Sequence, residues 1–587
     1  MESPSSRPFD FWRSPRALLA LAGLCLLTVL FRLGSYGLMD ADEGRYAQIP
    51  HEMLARGDWV TPTLNGIKFF DKPPLTYWSV MASFSLLGEN EFAARLPMAL
   101  FALAGIAATY ALGWRAFGPR AGWLGAAILS TTFFWPVMGR VVITDTPLAS
   151  MVTCSLALWW LGHTEPLARR QRLWFALFWA CCGLGVLAKG PVAVVLAFGA
   201  IVPYLLWCRP RDGWKMGWSY GVPLLLLVAA PWFVAVQGRN PEFNYLFWYK
   251  QNFQRFTGGA GVPDHWEAPY YFLPLLPLIF FPWAVFFPRA LGRVPALFGR
   301  ARGEVGDERA RAVVYLVCAA VFTLLFFSGS KSKIVTYILP MIPPSCVLLG
   351  AWLDARWNMR NWRPEALALA ALSLVLGVVA FAERGRVEKL LGGHPAPPWL
   401  FIAGGVAIGW ALVLAALAFR GTTQRIVGAT SIGFALLLAS IAGFWGAVGD
   451  EFSLRHIMRP VGRATTSDTR FVSVGLIQSL MFYCGRTVLI TGGDKSSPRL
   501  SVARELRPGF ERLSQRERHE HFLFNAGELG ALLQSRAPVF VVADNKGLPA
   551  PFWKPLEMHL HRLDGNARYS LWGNEAAMRN YLNAINH

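Results

Sequence analysis

Long apolar segments dominate this sequence and limit the folds open to it. A helix that crosses about 30 Å of hydrocarbon needs about 20 predominantly apolar residues. Thirteen segments close to that length lie within the first 447 residues. They are 15–33, 92–113, 121–138, 141–162, 173–188, 190–208, 219–237, 270–288, 312–329, 334–354, 364–382, 399–419 and 426–447. The pattern predicts a mainly α-helical, polytopic membrane protein with about thirteen spans.

Two apolar segments need separate interpretation. Segment 73–88 is short and interrupted by polar residues, so we interpret it as a helix lying at the membrane interface. Segment 15–33 follows a basic stretch, and no small-residue cleavage site comes after it. We therefore expect it to be a retained first span and not a signal peptide.

The charges of the loops predict an orientation. If the N-terminus is cytoplasmic and 73–88 does not cross, every cytoplasmic loop is basic, as the positive-inside rule requires. These loops carry Arg115, Arg120, Arg169, Arg170, Arg172, Arg209, Arg211, Lys215, Arg289, Arg293, Arg300, Arg302, Arg309, Arg311, Arg356, Arg360, Arg363, Arg420 and Arg425. Topology thus explains most of the formal net charge of +20, and we expect no nucleic-acid partner.

The composition changes after residue 447, where the chain becomes polar. Runs at 471–474, 487–490 and 539–542 are typical of strands, and 477–484 indicates a helix. Because the number of spans is odd, this tail lies outside. We predict a membrane domain of residues 1–447 and an outer α/β domain of residues 448–587.

The same topology collects acidic and basic residues in the outer loops, chiefly in the first, 34–91, and the fourth, 238–269. Ionisable groups at a membrane edge are costly unless they are paired or used. Each has a structural alternative: Asp42 and Glu43 suit the first turn of a helix, and Lys72 can anchor at the interface. Together they indicate an active site. The set is Asp42, Glu43, Arg45, Tyr46, Asp71, Lys72, Asp145, Lys189, Arg255, His265, Lys331, Lys333 and Tyr337.

A carboxylate beside several cations at a bilayer suits a phosphate-linked lipid substrate. Lysine and arginine would hold the phosphate and stabilise its charge as it leaves. The carboxylate would orient or deprotonate the acceptor. A transporter of lipid-linked sugars is the alternative from another class. Transporters typically place ionisable groups near the bilayer midplane and carry internal repeats, and no repeat is visible in this sequence.

The motifs around these residues resemble a known family. They include 42–47 (DEGRYA), 70–74 (FDKPP), Lys189-Gly190, 254–256 (QRF) and 330–340 (SKSKIVTYILP). The series is similar to the GT-C glycosyltransferases of the protein mannosyltransferase type. It is most similar to their bacterial branch that includes the aminoarabinose lipid A transferase. The likeness covers roughly residues 15–345.

The resemblance implies a GT-C fold and an inverting transfer from an undecaprenyl-phosphate sugar to an acceptor on the outer face of the bacterial inner membrane. The specific expectation is 4-amino-4-deoxy-L-arabinose moved to a phosphate of lipid A in the lipopolysaccharide, a modification tied to polymyxin resistance. The alternative is a related transferase acting on another glycan or on protein. Asp71 stands where the aminoarabinose enzymes have glutamate, and this departure bears on the identity of the sugar.

The resemblance also implies roles. Asp42 and Asp145 match acidic catalytic positions, Lys72 matches the basic residue that holds the lipid phosphate, and Tyr337 matches a tyrosine near the donor. Lys72, Lys189, Arg255, Lys331 and Lys333 are expected to bind the donor phosphate. No cofactor is required, although His265 and Asp71 are candidates for a divalent metal. The remaining expected cavity residues are Glu43, Arg45, Tyr46, Asp71, His265 and Tyr337.

Overall fold

The computed structural model describes residues 12, 14–254, 257, 266–292, 294–302, 307–491, 506, 512–524, 526–545 and 556–586. Within them, eight helices are long and apolar enough to cross a membrane. A bent pair, Leu273–Ile279 and Trp283–Leu291, makes a ninth if it is counted as one span. The eight are Glu91–Phe117, Ala168–Lys189, Trp218–Arg239, Glu308–Gly329, Val335–Asp354, Arg363–Ala382, Pro398–Arg420 and Thr423–Phe452. The chain is a multi-span membrane protein.

The count of eight or nine is lower than the predicted thirteen. The other four predicted segments are helical but shorter or more polar: Pro15–Leu30, Pro119–Ser130, Asp145–His163 and Val192–Cys208. Helix Asp145–His163 shows the reason, because most of its residues are buried among other helices. Its Thr153 and Ser155 hydroxyls donate to carbonyls one turn earlier in the same helix. Helices packed against other helices carry more small and polar residues, such as Ser and Thr, than helices that face lipid.

The first predicted outer loop is an ordered unit. It contains helix Asp42–Ala55, a short hairpin of strands Thr63–Leu64 and Ile67–Lys68, and helix Leu75–Leu87. The Glu52 carboxylate ties the hairpin to the first helix, because it accepts hydrogen bonds from the hydroxyl of Thr63 and the backbone N–H of Gly66. The interfacial position of the 75–87 helix stays a prediction.

A six-stranded mixed sheet follows the last span. The predicted strands and the predicted helix are confirmed, the latter as Gln478–Cys484. Four strands run parallel, and the last two pair antiparallel. In spatial order the strands are Phe522–Leu523, Leu489–Thr491, Arg470–Val474, Val539–Asp544, Tyr569–Gly573 and His561–Gly565.

The sheet region and the first loop share one hydrophobic core. Ile49 and Tyr77 of the loop pack in the same buried cluster as Leu480 and Tyr569. The Asn65 side chain extends this contact, because its amide pairs with both the N–H and the C=O of Val488 at 2.8 Å. The division at residues 447 and 448 stays a prediction, but the two parts are joined by a buried interface.

Candidate functional site

Asp42 begins helix Asp42–Ala55 with its side chain 59% exposed. Acidic residues are favourable in the first turn of a helix, where they face unpaired backbone N–H groups. One turn later, the buried Arg45 guanidinium lies 3.6 Å from the Asp42 carboxylate and 5.6 Å from the Tyr46 ring. Asp42 is therefore an accessible acid beside a fixed positive charge.

Glu43 has a different environment, since it is buried against Arg95 of helix Glu91–Phe117. The Arg95 guanidinium donates to both Glu43 carboxylate oxygens, at 2.8 and 2.7 Å. It also donates to backbone carbonyls of the first loop, such as that of Tyr36 at 2.8 Å. The Val142 N–H completes the group with a 3.2 Å bond to Glu43. Glu43, predicted to line a cavity, instead lies inside the protein and joins the first loop to two other segments.

Lys72 and Asp71 form an ion pair with an Nζ to Oδ2 distance of 2.5 Å. Pro73 and Pro74 follow, and their fixed φ angles restrict the backbone at this point. The Asp71 carboxylate interacts electrostatically with the phenols of Tyr46 and Tyr77. Burial raises the pKa of both phenols well above the usual range, and the Asp71 carboxylate raises it further. Both tyrosines therefore stay neutral donors beside this pair.

A second ion pair joins Lys189 and Asp145, again at 2.5 Å. Lys189 ends its helix, Asp145 begins another, and the Lys189 ammonium lies 4.4 Å from the centre of the Tyr337 ring. Gly190 follows with φ of 85°, and a Cβ there would lie 3.1 Å from the Phe247 ring. Glycine is thus required for the chain to turn beneath the aromatic ring. Three predicted site residues, Asp145, Lys189 and Tyr337, come together here.

One apolar cluster links the neighbourhoods of the two ion pairs. Phe70, two residues before Lys72, packs in the same cluster as Val186 and Leu187, just before Lys189. Phe247 belongs to this cluster as well. Sequence neighbours of both lysine–carboxylate pairs therefore pack in one apolar cluster.

Lys331 and Lys333 differ from one another. Lys331 is exposed. Lys333 is buried, and its ammonium donates to the carbonyls of Glu267, at 2.7 Å, and Ser330. Burial lowers the pKa of Lys333, and the charge of Lys331 lowers it further. The Lys333 ammonium, predicted to bind phosphate, fastens the turn after helix Glu308–Gly329 to the segment at Glu267.

The remaining predicted residues bear on metal binding. Arg255 and His265 lie outside the described residues. In the part of the chain that the structure describes, no group of three or more His, Cys, Asp or Glu side chains is arranged to hold a metal ion. Asp40, which forms a DxD pattern with Asp42, accepts hydrogen bonds from Ser479 and Tyr569.

An apolar groove of about 1100 Å³ lies beside the bent helix pair. It is lined by helix Glu308–Gly329 and by the segment after Met341, and Arg300 and Arg356 lie among its lining residues. Met341 is four residues from Tyr337, and Phe327 of the same lining helix touches the Tyr337 ring at 5.2 Å. One segment of the groove lining therefore begins four residues after Tyr337 in the sequence.

Sequence reasoning missed the partners of several site residues. Arg95 was visible as a lone arginine within a predicted span, which is a signal for a buried ion pair. Gln478, Ser479 and Tyr569 gave no signal, because they approach the site from more than 400 residues away in sequence.

The sequence relatives come from one group of transferases. The family described as dolichyl-phosphate-mannose-protein mannosyltransferase matches residues 16–247. An undecaprenyl phosphate-alpha-4-amino-4-deoxy-L-arabinose arabinosyl transferase of Pseudomonas fluorescens is 32% identical, with 62% of this chain and 64% of that protein aligned. A transferase of the same name from Pseudomonas aeruginosa is 31% identical, with 57% and 59% aligned. The chain thus spans less than two thirds of each relative's length.

The structural match extends over nearly the whole chain. ArnT from Cupriavidus metallidurans, bound to undecaprenyl phosphate, superposes with a TM-score of 0.78 and 26% identity. The match covers 96% of this chain and 98% of that one. The oligosaccharyltransferase of Archaeoglobus fulgidus, at a TM-score of 0.50, 11% identity and coverage of 91% and 70%, shares the fold alone. The chain is therefore similar to ArnT over nearly its whole length, and it has the GT-C fold.

Proposed function

We propose that this protein is an inverting glycosyltransferase that moves 4-amino-4-deoxy-L-arabinose from undecaprenyl phosphate to a phosphate of lipid A. The observation that carries the proposal is the pair of lysine–carboxylate contacts, Lys72–Asp71 and Lys189–Asp145, whose sequence neighbours pack in one apolar cluster. The likeness to ArnT with undecaprenyl phosphate, and to transferases named for this sugar, supports the choice of donor.

In the proposed reaction the bond between the sugar C1 and the lipid phosphate oxygen breaks. An oxygen of the acceptor phosphate forms the new bond to C1, and undecaprenyl phosphate leaves with one more negative charge. In this proposal the Lys72 ammonium, which donates to the Asp71 carboxylate, would also bond to that phosphate. Because the charge grows as the bond breaks, the lysines bind the transition state more tightly than the substrate. The apolar groove would take part of the polyprenyl chain.

Asp42 would act on the acceptor. Its carboxylate is exposed, and Arg45 lies 3.6 Å away on the same helix. If the acceptor phosphate carries a proton, Asp42 takes it as general base. If the acceptor arrives as a dianion, Asp42 orients it through its neighbour Arg45. Glu43 and Lys333 are positioning residues in this account, since both are buried and bonded to the protein itself.

Mass spectrometry of lipid A tests the proposal. We expect a strain lacking the gene to regain an aminopentose on lipid A when it carries the natural protein, and not when it carries Asp42→Asn. Purified protein should perform the same transfer with the lipid-linked sugar and lipid A. A natural protein that is folded in the membrane but leaves lipid A unchanged would contradict this acceptor. The match to a protein mannosyltransferase family makes glycosylated protein the next product to examine.

We also propose that the site and the C-terminal region face the periplasm of the inner membrane. The basic residues of the loops predicted as cytoplasmic support this orientation. A cysteine placed at the exposed Asn545 should react with an impermeant thiol reagent in spheroplasts, and one at the exposed Asp212 only after lysis. Reaction at Asp212 in intact spheroplasts would reverse the orientation.

A further inference from the structure

The C-terminal sheet region holds the chain immediately before Asp42. The Asp40 carboxylate receives three hydrogen bonds, all from this region. The Ser479 N–H donates at 2.7 Å, the Ser479 hydroxyl donates to the other carboxylate oxygen, and the Tyr569 hydroxyl donates to that same oxygen at 2.7 Å. Burial raises the pKa of Asp40, while these bonds favour its carboxylate form. The turn two residues before the predicted catalytic acid is thus fixed from outside the first loop.

The same region also contacts Arg45, the positive neighbour of Asp42. The Gln478 side-chain carbonyl accepts a hydrogen bond from the Arg45 Nε at 3.4 Å, and both side chains are buried. The other end of the same guanidinium lies 3.6 Å from Asp42. A chain of contacts therefore leads from the C-terminal region to the exposed acid, through Gln478, Arg45 and Asp42.

Gly44 allows the two helices to meet. A Cβ at this position would lie 2.4 Å from the Ser479 nitrogen and 2.8 Å from its Cα. Contacts below 3.0 Å to backbone cannot be relieved by a side-chain rotation. Helix Asp42–Ala55 therefore packs backbone to backbone against helix Gln478–Cys484, between the contacts at Asp40 and Arg45.

We infer that the C-terminal α/β region is an integral part of the transferase site, in which Gln478, Ser479 and Tyr569 are positioning residues for Asp42 and Arg45. This inference rests on the proposed function. A buried polar contact is costly to place at an interface that apolar side chains could fill, and the shared core already supplies apolar packing. What the polar contacts add is a fixed geometry, and misplacing a catalytic group by about 1 Å costs about a hundredfold in rate.

Two matched tyrosines test the inference. Tyr569→Phe removes only the hydroxyl that donates to Asp40. Tyr581→Phe removes a hydroxyl that donates to Asp564 at 2.9 Å, in the same region and with the same chemistry, but from the C-terminal helix Glu575–Asn586. We expect Tyr569→Phe and Gln478→Leu to lower kcat about tenfold, the equivalent of one lost hydrogen bond, with donor KM changed less than about twofold. Tyr581→Phe should leave both constants unchanged.

Hydrogen exchange of the full-length protein in detergent gives a readout that does not depend on activity. Amides 42–49 should exchange faster in Tyr569→Phe than in the natural protein, and at the natural rate in Tyr581→Phe. Unchanged kcat in Tyr569→Phe and Gln478→Leu, or equal losses in both tyrosine variants, would overturn the inference. Lost turnover without faster exchange at amides 42–49 would overturn it as well. If the natural protein shows no transfer, the proposed function fails, and the exchange comparison still decides whether this region positions the helix.

Discussion

Two kinds of ion pair in this molecule differ in how deeply they are buried: the Glu43–Arg95 pair is fully enclosed, and two lysine–carboxylate pairs, called open pairs below, are partly exposed. In the Glu43–Arg95 pair, both side chains are buried, and Arg95 also bonds to three backbone carbonyls. In the Lys72–Asp71 and Lys189–Asp145 pairs, each side chain keeps between 10 and 15% of its surface exposed. The first arrangement leaves no room for a ligand, whereas the second keeps charged groups within reach of one. The comparison teaches that burial distinguishes the charged pair that holds the fold from the two pairs that we propose bind substrate.

The enclosed pair should dominate stability. Arg95→Met leaves the Glu43 carboxylate buried without its partner, and breaking a buried pair this way costs about 3–5 kcal/mol. We expect a large drop in Tm, or loss of folded protein, in fluorescence-detected size exclusion. Arg384→Met, which removes an exposed partner of Glu388, is the control and should leave Tm unchanged. Equal Tm values for the two variants would contradict the claim that burial makes the Glu43–Arg95 pair important for stability.

The accessible acid should affect turnover without affecting the fold. Asp42→Asn keeps the size of the side chain but cannot take a proton or carry charge. Loss of a general base lowers rate by about 10²–10⁴-fold. If Asp42 only orients a dianionic acceptor, the loss should be smaller, and its pH dependence should be flat. Steady-state turnover decides, with Asp212→Asn as a control at a distant exposed acid. Natural turnover in Asp42→Asn would remove this residue from the mechanism.

The contributions of the two charges in the Lys189–Asp145 pair can be measured separately. Lys189→Met removes a positive charge facing the proposed leaving phosphate, and we expect kcat to fall about a hundredfold. Asp145→Asn leaves the lysine charge in place and should cost less. The ratio of the two effects, measured at saturating donor, shows whether the lysine binds phosphate or merely balances Asp145. A larger loss in Asp145→Asn would assign the chemistry to the acid instead.

The smallest effect is expected at the exposed Lys331. Interactions of exposed charges are worth about 0–1 kcal/mol, so Lys331→Met should raise donor KM at most about fivefold and leave kcat alone. Raising the salt concentration should reduce the difference further, since exposed charges are screened. A kcat defect that persists in high salt would contradict this expectation and give Lys331 a role in turnover like the one proposed for Lys72 and Lys189.

The sequence predicted the membrane helices, the strands of the outer region and most of the charged residues that meet. Those features depend on local periodicity and on loop charge, which a single chain displays directly. The sequence did not predict which of these charged side chains are buried. Glu43 beside Asp42 looked like a second cavity acid, and Lys333 looked like Lys331, because exposure depends on Arg95 and on the Glu267 carbonyl from elsewhere in the chain. The long-range partners Gln478 and Tyr569 could not be found for the same reason.

The turnover number of Lys72→Met at saturating donor tests the central claim most directly, namely that an open lysine–carboxylate pair stabilises the departing lipid phosphate. We expect nearly complete loss of turnover with an unchanged Tm. Lys72→Arg should be partly active, because a planar guanidinium does not replace a compact ammonium. Natural turnover in a folded Lys72→Met protein would contradict the account and leave Lys72 as an interfacial anchor.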